Sequence, residues 1–152
     1  MHGTSLKQRA RQSCPDGSTF LPICRQDMAR RGWDELDILL VSGDAYIDHP
    51  AFGVPLLGRV LEAQGYRVGI VAQPRWDTPD DIARMGRPKL FAGISGGSLD
   101  SMLAHYTAFR KKRHDDAYTP GGKAGARPNR ASIVYTNLIR QAFPGLPVVL
   151  GG

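Results

Sequence analysis

Apolar and polar positions along this chain alternate between two periods. Residues 37–41, DILLV, form a nearly continuous apolar run closed by Ser42-Gly43, the pattern of a short strand covered on both faces. Val54, Leu57 and Leu61 then recur at helical spacing. Pro50 and Pro55 suit the first turn of that helix, and Gly65 suits the position just beyond its end. Residues 67–72 predict a second strand, 79–85 a short helix opened by acidic residues, and 89–94 a third strand. Residues 98–109 read as a helix with Ser98 as N-cap, because its hydroxyl can accept from an orphan first-turn N–H. Residues 131–143 read as a helix with Ile133, Leu138 and Ile139 in the core, and 147–150 as a fourth strand. Strands that alternate with helices pair in parallel through crossovers. The expected fold is therefore α/β: a small, doubly wound, flavodoxin-like and mainly parallel sheet of about four strands.

Two stretches stand outside this rhythm. Residues 1–19 lack an apolar period and are rich in polar and basic side chains, so a disordered tail is expected before an ordered domain over 20–152. Residues 27–31 predict one short helical turn before Gly32-Trp33. Residues 110–130, RKKRHDDAYTPGGKAGARPNR, also lack a period. They are expected to be a flexible basic loop that orders only against a partner or an anionic ligand. Four strands are few for a doubly wound sheet, and the last one runs straight into Gly151-Gly152. The chain is expected to be the amino-terminal part of something longer.

Composition changes this picture little. A length of 152 residues with 41% hydrophobic content fits one domain. Lysine and arginine exceed aspartate and glutamate by 20 to 14, which permits an anionic partner. Nucleic acid, reached through 110–130, is a lesser reading. The two cysteines, Cys14 and Cys24, lack metal-site spacing, and neither a signal peptide nor a membrane span is legible. The expectation is a reduced, cytoplasmic protein that uses no metal of its own.

Three groups carry candidate chemistry. Gly43, Asp44, Asp48, His49 and Gly53 follow the first strand, where ligands bind in open α/β sheets. Carboxylates and an imidazole there can hold a ligand or relay protons, although capping of the next helix also accounts for Asp48. Gly96, Gly97 and Ser98 follow the third strand and can aim backbone N–H groups at an anion, or simply form a tight turn. Arg113, His114, Asp115, Asp116 and Tyr118 offer a clamp for a substrate, or a solvated charged loop. No nucleophile elbow, P-loop or zinc constellation is present, so no catalytic residue is assigned.

From Gly32 onward the chain closely resembles the N-terminal region of YgiQ-type radical SAM proteins. The resemblance rests on Gly32-Trp33, SGDAYIDHPAFG at 42–53, RVLEAQGYRVGIVAQP at 59–74, LFAGISGGSLDSM at 90–102, RHDDAYTPGGKAGARP at 113–128 and RASIVYTNLIRQAFPGLPVVLGG at 130–152. It implies a truncation before a partial barrel in which C-x-x-x-C-x-x-C holds a [4Fe–4S] cluster that cleaves S-adenosylmethionine. That motif is absent, so the chain alone carries no radical chemistry. The implied role is an accessory domain that covers the barrel, its partner in cis, and helps to form a pocket for a substrate still to be identified. The rival is a freestanding flavodoxin-like module that binds a small molecule. The resemblance also extends to cobalamin-binding domains, which use Asp-x-His-x-x-Gly. Asp48 and Gly53 fit that motif, but Pro50 stands where the spacing to Gly53 matches and His49 falls one place early. Cobalt ligation through His49 is not expected.

Overall fold

A computed structural model describes residues 20–46 and 53–151 of the chain. Four strands, β1 (Ile38–Ser42), β2 (Val68–Ala72), β3 (Phe91–Ser95) and β4 (Val148–Gly151), form one all-parallel sheet in the order β2-β1-β3-β4. The helices are α1 (Arg25–Arg30), α2 (Gly53–Ala63), α3 (Asp80–Ala83), α4 (Ser101–His105) and α5 (Ala131–Ala142), with a 3₁₀ turn at Pro120–Gly122.

The period of two in β1 explains why helices are needed on both sides. Leu39 and Val41 point into a core built with Met28 of α1, Ile82 of α3 and Tyr135, Leu138 and Ile139 of α5. Ile38 and Leu40 point the other way, onto Val54 and Leu61 of α2 and onto Leu21. Every residue of β1 is buried, and each large aliphatic side chain so enclosed stabilises the fold by roughly 1.5–3 kcal/mol before entropy is counted. At the opposite end of the sheet from the candidate site, Arg67 fastens β1 to β2. Its Nη2 lies 2.8 Å from Asp37 Oδ1, and its Nε donates to Oδ2 at 3.1 Å.

The predicted doubly wound α/β class and its four strands match this architecture, and the short turn before Gly32 is α1, closed by Gly32 at φ +66°. Several details differ. The helix predicted over 98–109 spans only Ser101–His105, and its N-cap is Asp100, whose carboxylate accepts from the Met102 and Leu103 N–H groups. Ser98 caps nothing; its N–H is drawn to Asp44 instead. Ile133, expected in the core, is exposed, whereas Leu138 and Ile139 are buried; Leu57, on the helical period of α2, is also exposed. Among the described residues no helix is long and apolar enough to cross a membrane.

Candidate functional site

In the order β2-β1-β3-β4 the chain winds away from β1 in both directions, so a crevice forms beyond the carboxyl ends of β1 and β3. The two strands end in register, Ser42 beside Ser95, and each is followed by glycine. The Gly43 N–H donates to the Ser95 carbonyl at 3.0 Å. A Cβ on Gly43 would lie 2.1 Å from the Gly96 carbonyl oxygen, so only glycine lets these two backbones meet. Each terminal serine closes its own turn: Ser42 Oγ accepts from the Asp44 N–H at 3.1 Å, and Ser95 Oγ from the Gly97 N–H at 3.2 Å. The turns aim Asp44 at the neighbouring loop, where its Oδ2 accepts from the Ser98 N–H at 2.7 Å.

Arg127 reaches this point from the distant polar segment and is fully enclosed. Its Nε and Nη2 donate to the two carboxylate oxygens of Asp116 at 2.9 and 2.8 Å, and its Nη1 donates to Asp44 Oδ1 and to the Leu99 carbonyl, each at 3.2 Å. The guanidinium also lies over the Tyr118 ring, 5.3 Å from its centroid. A planar, permanently charged fork suits this bidentate and stacked arrangement. Burial by itself would raise the Asp116 pKa. The hydrogen bonds from Arg127 and the Tyr118 N–H, together with the guanidinium charge, outweigh it and hold the carboxyl below its ordinary value. Gln73, just past β2, ties the third loop down by donating to Thr119 Oγ1 at 2.9 Å and to the Gly43 carbonyl at 3.2 Å.

The predicted site residues therefore divide. Gly43, Asp44, Gly96, Gly97, Ser98, Asp116 and Tyr118 meet around Arg127. Asp48 and His49 lie outside the described residues. Gly53 begins α2 in open space. Arg113 turns its Nε to the Leu103 and Tyr106 carbonyls at 3.0 and 3.3 Å, and His114 and Asp115 are exposed beyond the cluster. Arg127 and Gln73 were missed, because an arginine in a Gly/Pro-rich run and a glutamine after a strand both read as solvent-facing. Among the described residues no three His, Cys, Asp or Glu side chains are grouped to hold a metal ion.

With its lone pairs committed to Arg127 and Ser98, Asp44 forms a rigid floor. The accessible chemistry lies beside it, in a hollow of about 440 Å³ lined by Gly96, Gly97, Ser98, Arg130, Ser132 and Gly151, among others. The start of α5 borders this hollow, and its N-cap, Arg130, makes no side-chain cap. The exposed cation Arg130, at the start of a helix, suits an anionic or hydroxyl-bearing group there.

Residues 20–152 match the model of the radical SAM N-terminal family. A UPF0313 protein of Thermotoga petrophila is 60% identical over 133 residues, covering 88% of this chain and 24% of that protein. UPF0313 protein YgiQ of Salmonella typhimurium is 55% identical over 140 residues, and that of Escherichia coli 54%; each comparison covers 92% of this chain and 19% of the relative. The chain thus spans only about a fifth to a quarter of the length of the curated relatives it matches. No solved structure matches. A family match across the whole described fold, with strong identity to UPF0313 proteins, shows that this chain belongs to the radical SAM N-terminal family.

Proposed function

We propose that this chain serves as the N-terminal accessory domain of a YgiQ-type radical SAM enzyme, working in the cytoplasm. It packs against the barrel in cis and contributes one wall of the substrate or cofactor pocket. The observation that carries this reading is β4. No residue of that strand is buried, and Val149 and Leu150 are 53% and 59% exposed, with Ile133 of α5 also 55% exposed. Long apolar side chains on an open sheet edge are normally covered in the working protein. Gly151 at the end of β4 lines the hollow, so whatever covers the edge also borders that space. In this reading Arg130 and the first turn of α5 meet the bound molecule, and Gly96, Gly97 and Ser98 form the wall beside them, with the Gly97 and Ser98 N–H groups given to Ser95 and Asp44. Gly43 and Asp44 hold that wall in place, and Asp116 and Tyr118 brace the arginine beneath. In the same reading Asp48 and His49 are further contacts for the ligand, whereas Gly53, Arg113, His114 and Asp115 do not line the hollow.

The family name implies an iron–sulfur cluster and S-adenosylmethionine. The chain has two cysteines, fewer than the three thiolates such a cluster takes, so its residues do not fit the group and no step is assigned to them.

A chimera tests the proposal, with residues 20–152 replacing the matching 133 residues of the Thermotoga petrophila relative. It should cleave S-adenosylmethionine as fast as the parent and unfold calorimetrically in one transition. Val149→Glu with Leu150→Glu should separate the domain's transition from the barrel's and slow the cleavage. Undiminished cleavage by the parent after deletion of its matching region, or a charged pair without effect, would refute the role.

A further inference from the structure

A second cavity, of about 560 Å³, shares no lining residue with the hollow. Its walls include Trp76 from the loop after β2, His105 and Tyr106 at the end of α4, Lys112 and Arg113, and Asn129. From these side chains we infer a binding site for a nucleoside phosphate, with the base against the aromatic wall and the phosphate at the two cations. The inference concerns the free chain and does not depend on the accessory role above.

The aromatic wall is held by a polar chain. Asn129 Nδ2 donates to the Tyr106 hydroxyl at 3.2 Å, which fixes the amide so that its Oδ1 faces His105 Nδ1 at 2.6 Å. His105 must then carry a proton on Nδ1, and the Tyr106 hydroxyl, having accepted from Asn129, keeps its own hydrogen to donate. His105 Nε2 is enclosed and has no partner, and an enclosed polar atom normally has one. Trp76 is 48% exposed, so the indole face is available for stacking, which any nucleobase can accept.

The cations are placed by the backbone. Tyr106 and Lys112 form an antiparallel bridge, which sets their side chains next to each other. Arg113 commits its Nε to carbonyls, and its two terminal nitrogens make no hydrogen bond among the described residues. Neither Lys112 nor Arg113 is in an ion pair there. Unpaired cations that share a cavity of ligand size with aromatic rings match a small molecule that carries both a base and a phosphate. A hydrophobic metabolite would leave the cations unused, and a bare phosphate would leave the rings unused.

Calorimetric titration of the 152-residue chain with AMP, adenosine and inorganic phosphate tests this. AMP should bind saturably at one site, with adenosine and phosphate each weaker by about tenfold or more. Trp76→Ala and Lys112→Ala, both at accessible positions, should each weaken AMP about tenfold, roughly the loss of one stacked base or one phosphate contact, with circular dichroism unchanged. The inference falls if AMP shows no saturable binding, if adenosine binds as well as AMP, or if either variant binds AMP like the parent. A tight, salt-sensitive complex with an oligonucleotide that Trp76→Ala leaves intact also overturns it, by assigning the cations to an open nucleic-acid surface.

Discussion

Arg127→Met is the substitution that most directly probes the candidate site. It keeps most of the side-chain volume and removes only the charged fork. The side chains of Arg127, Asp116 and Asp44 are 0%, 1% and 6% exposed, so the two carboxylates would be left enclosed without their cation. Breaking a buried pair from one side costs about 3–5 kcal/mol. For a domain of this size that lowers the unfolding midpoint by roughly 10 °C or more. The pH dependence has a definite sign. Asp116 has a depressed pKa in the folded chain, so its stabilising contribution is present above the ordinary aspartate value near ~3.9 and is lost as pH falls through the folded value. Without Arg127, burial dominates and favours the protonated acid. The deficit of the variant should therefore be largest at pH 7 and shrink as pH approaches 4. Thermal unfolding of both proteins across that range measures it. Arg75→Met, which breaks the exposed pair with Asp77, is the control and should leave the midpoint within error. A deficit at pH 7 below about 1 kcal/mol, or one that does not vary with pH, would show that the guanidinium does not hold this charge.

Gly43→Ala should destabilise the chain by at least about 2 kcal/mol, because the new methyl meets a backbone oxygen at 2.1 Å that cannot turn aside; urea unfolding that shows no loss would contradict the close approach. Tyr135→Phe should leave stability unchanged or raise it by up to about 1 kcal/mol, since the hydroxyl is enclosed without a partner and burial raises its pKa. A substantial loss in the same urea assay would reveal a bond to that hydroxyl. Within residues 20–151, trypsin should cut at Arg110, Lys111 or Lys112, all exposed, before it cuts at Lys123, which lies between the buried anchors Asp116 and Arg127. Mass spectrometry of the first fragments checks the order, and simultaneous cleavage at Lys123 would show that the clamp opens freely.

The sheet was legible because its signal is local. Four short apolar runs separated by helical periods leave few arrangements, and β1, β2, β3 and β4 each begin or end within two residues of the predicted bounds. The loops after β1 and β3 were legible for a similar reason: glycine, serine and aspartate at a strand end mark both a turn and a crevice. The contact between them was not. Asp44 and Arg127 are 83 residues apart, and nothing in either neighbourhood encodes the other. Composition assigned residues 110–130 to a loop lacking an apolar anchor. Its anchors are ionic and polar: Asp116, Thr119 and Arg127 are buried, and a hydropathy pattern cannot register an arginine that is neutralised inside the fold. Ser98 failed as a cap for a related reason, since Asp100 stands two residues later and competes for the same first-turn N–H groups.

The arginine clamp also divides the long connection between β3 and α5 into two mechanical parts. Residues 116–127 are tied to the sheet at three points: Arg127, paired with Asp116, also donates to Asp44, the Tyr118 carbonyl accepts from the Ala45 N–H at 3.0 Å, and Thr119 accepts from Gln73. Residues 107–111 are tied only to themselves, by Thr107 N–H to the Lys111 carbonyl at 2.8 Å and Arg110 N–H to the Thr107 carbonyl at 2.9 Å. Phe109 projects from that turn almost entirely exposed. Apolar packing at the clamp could match the stability of an ion pair, but it would not dictate which oxygen faces which nitrogen. The fork does, and it fixes Asp44 so that its second oxygen meets the Ser98 N–H. A charge hidden 32 residues beyond the end of β3 at Ser95 thereby sets the shape of the loop that leaves β3.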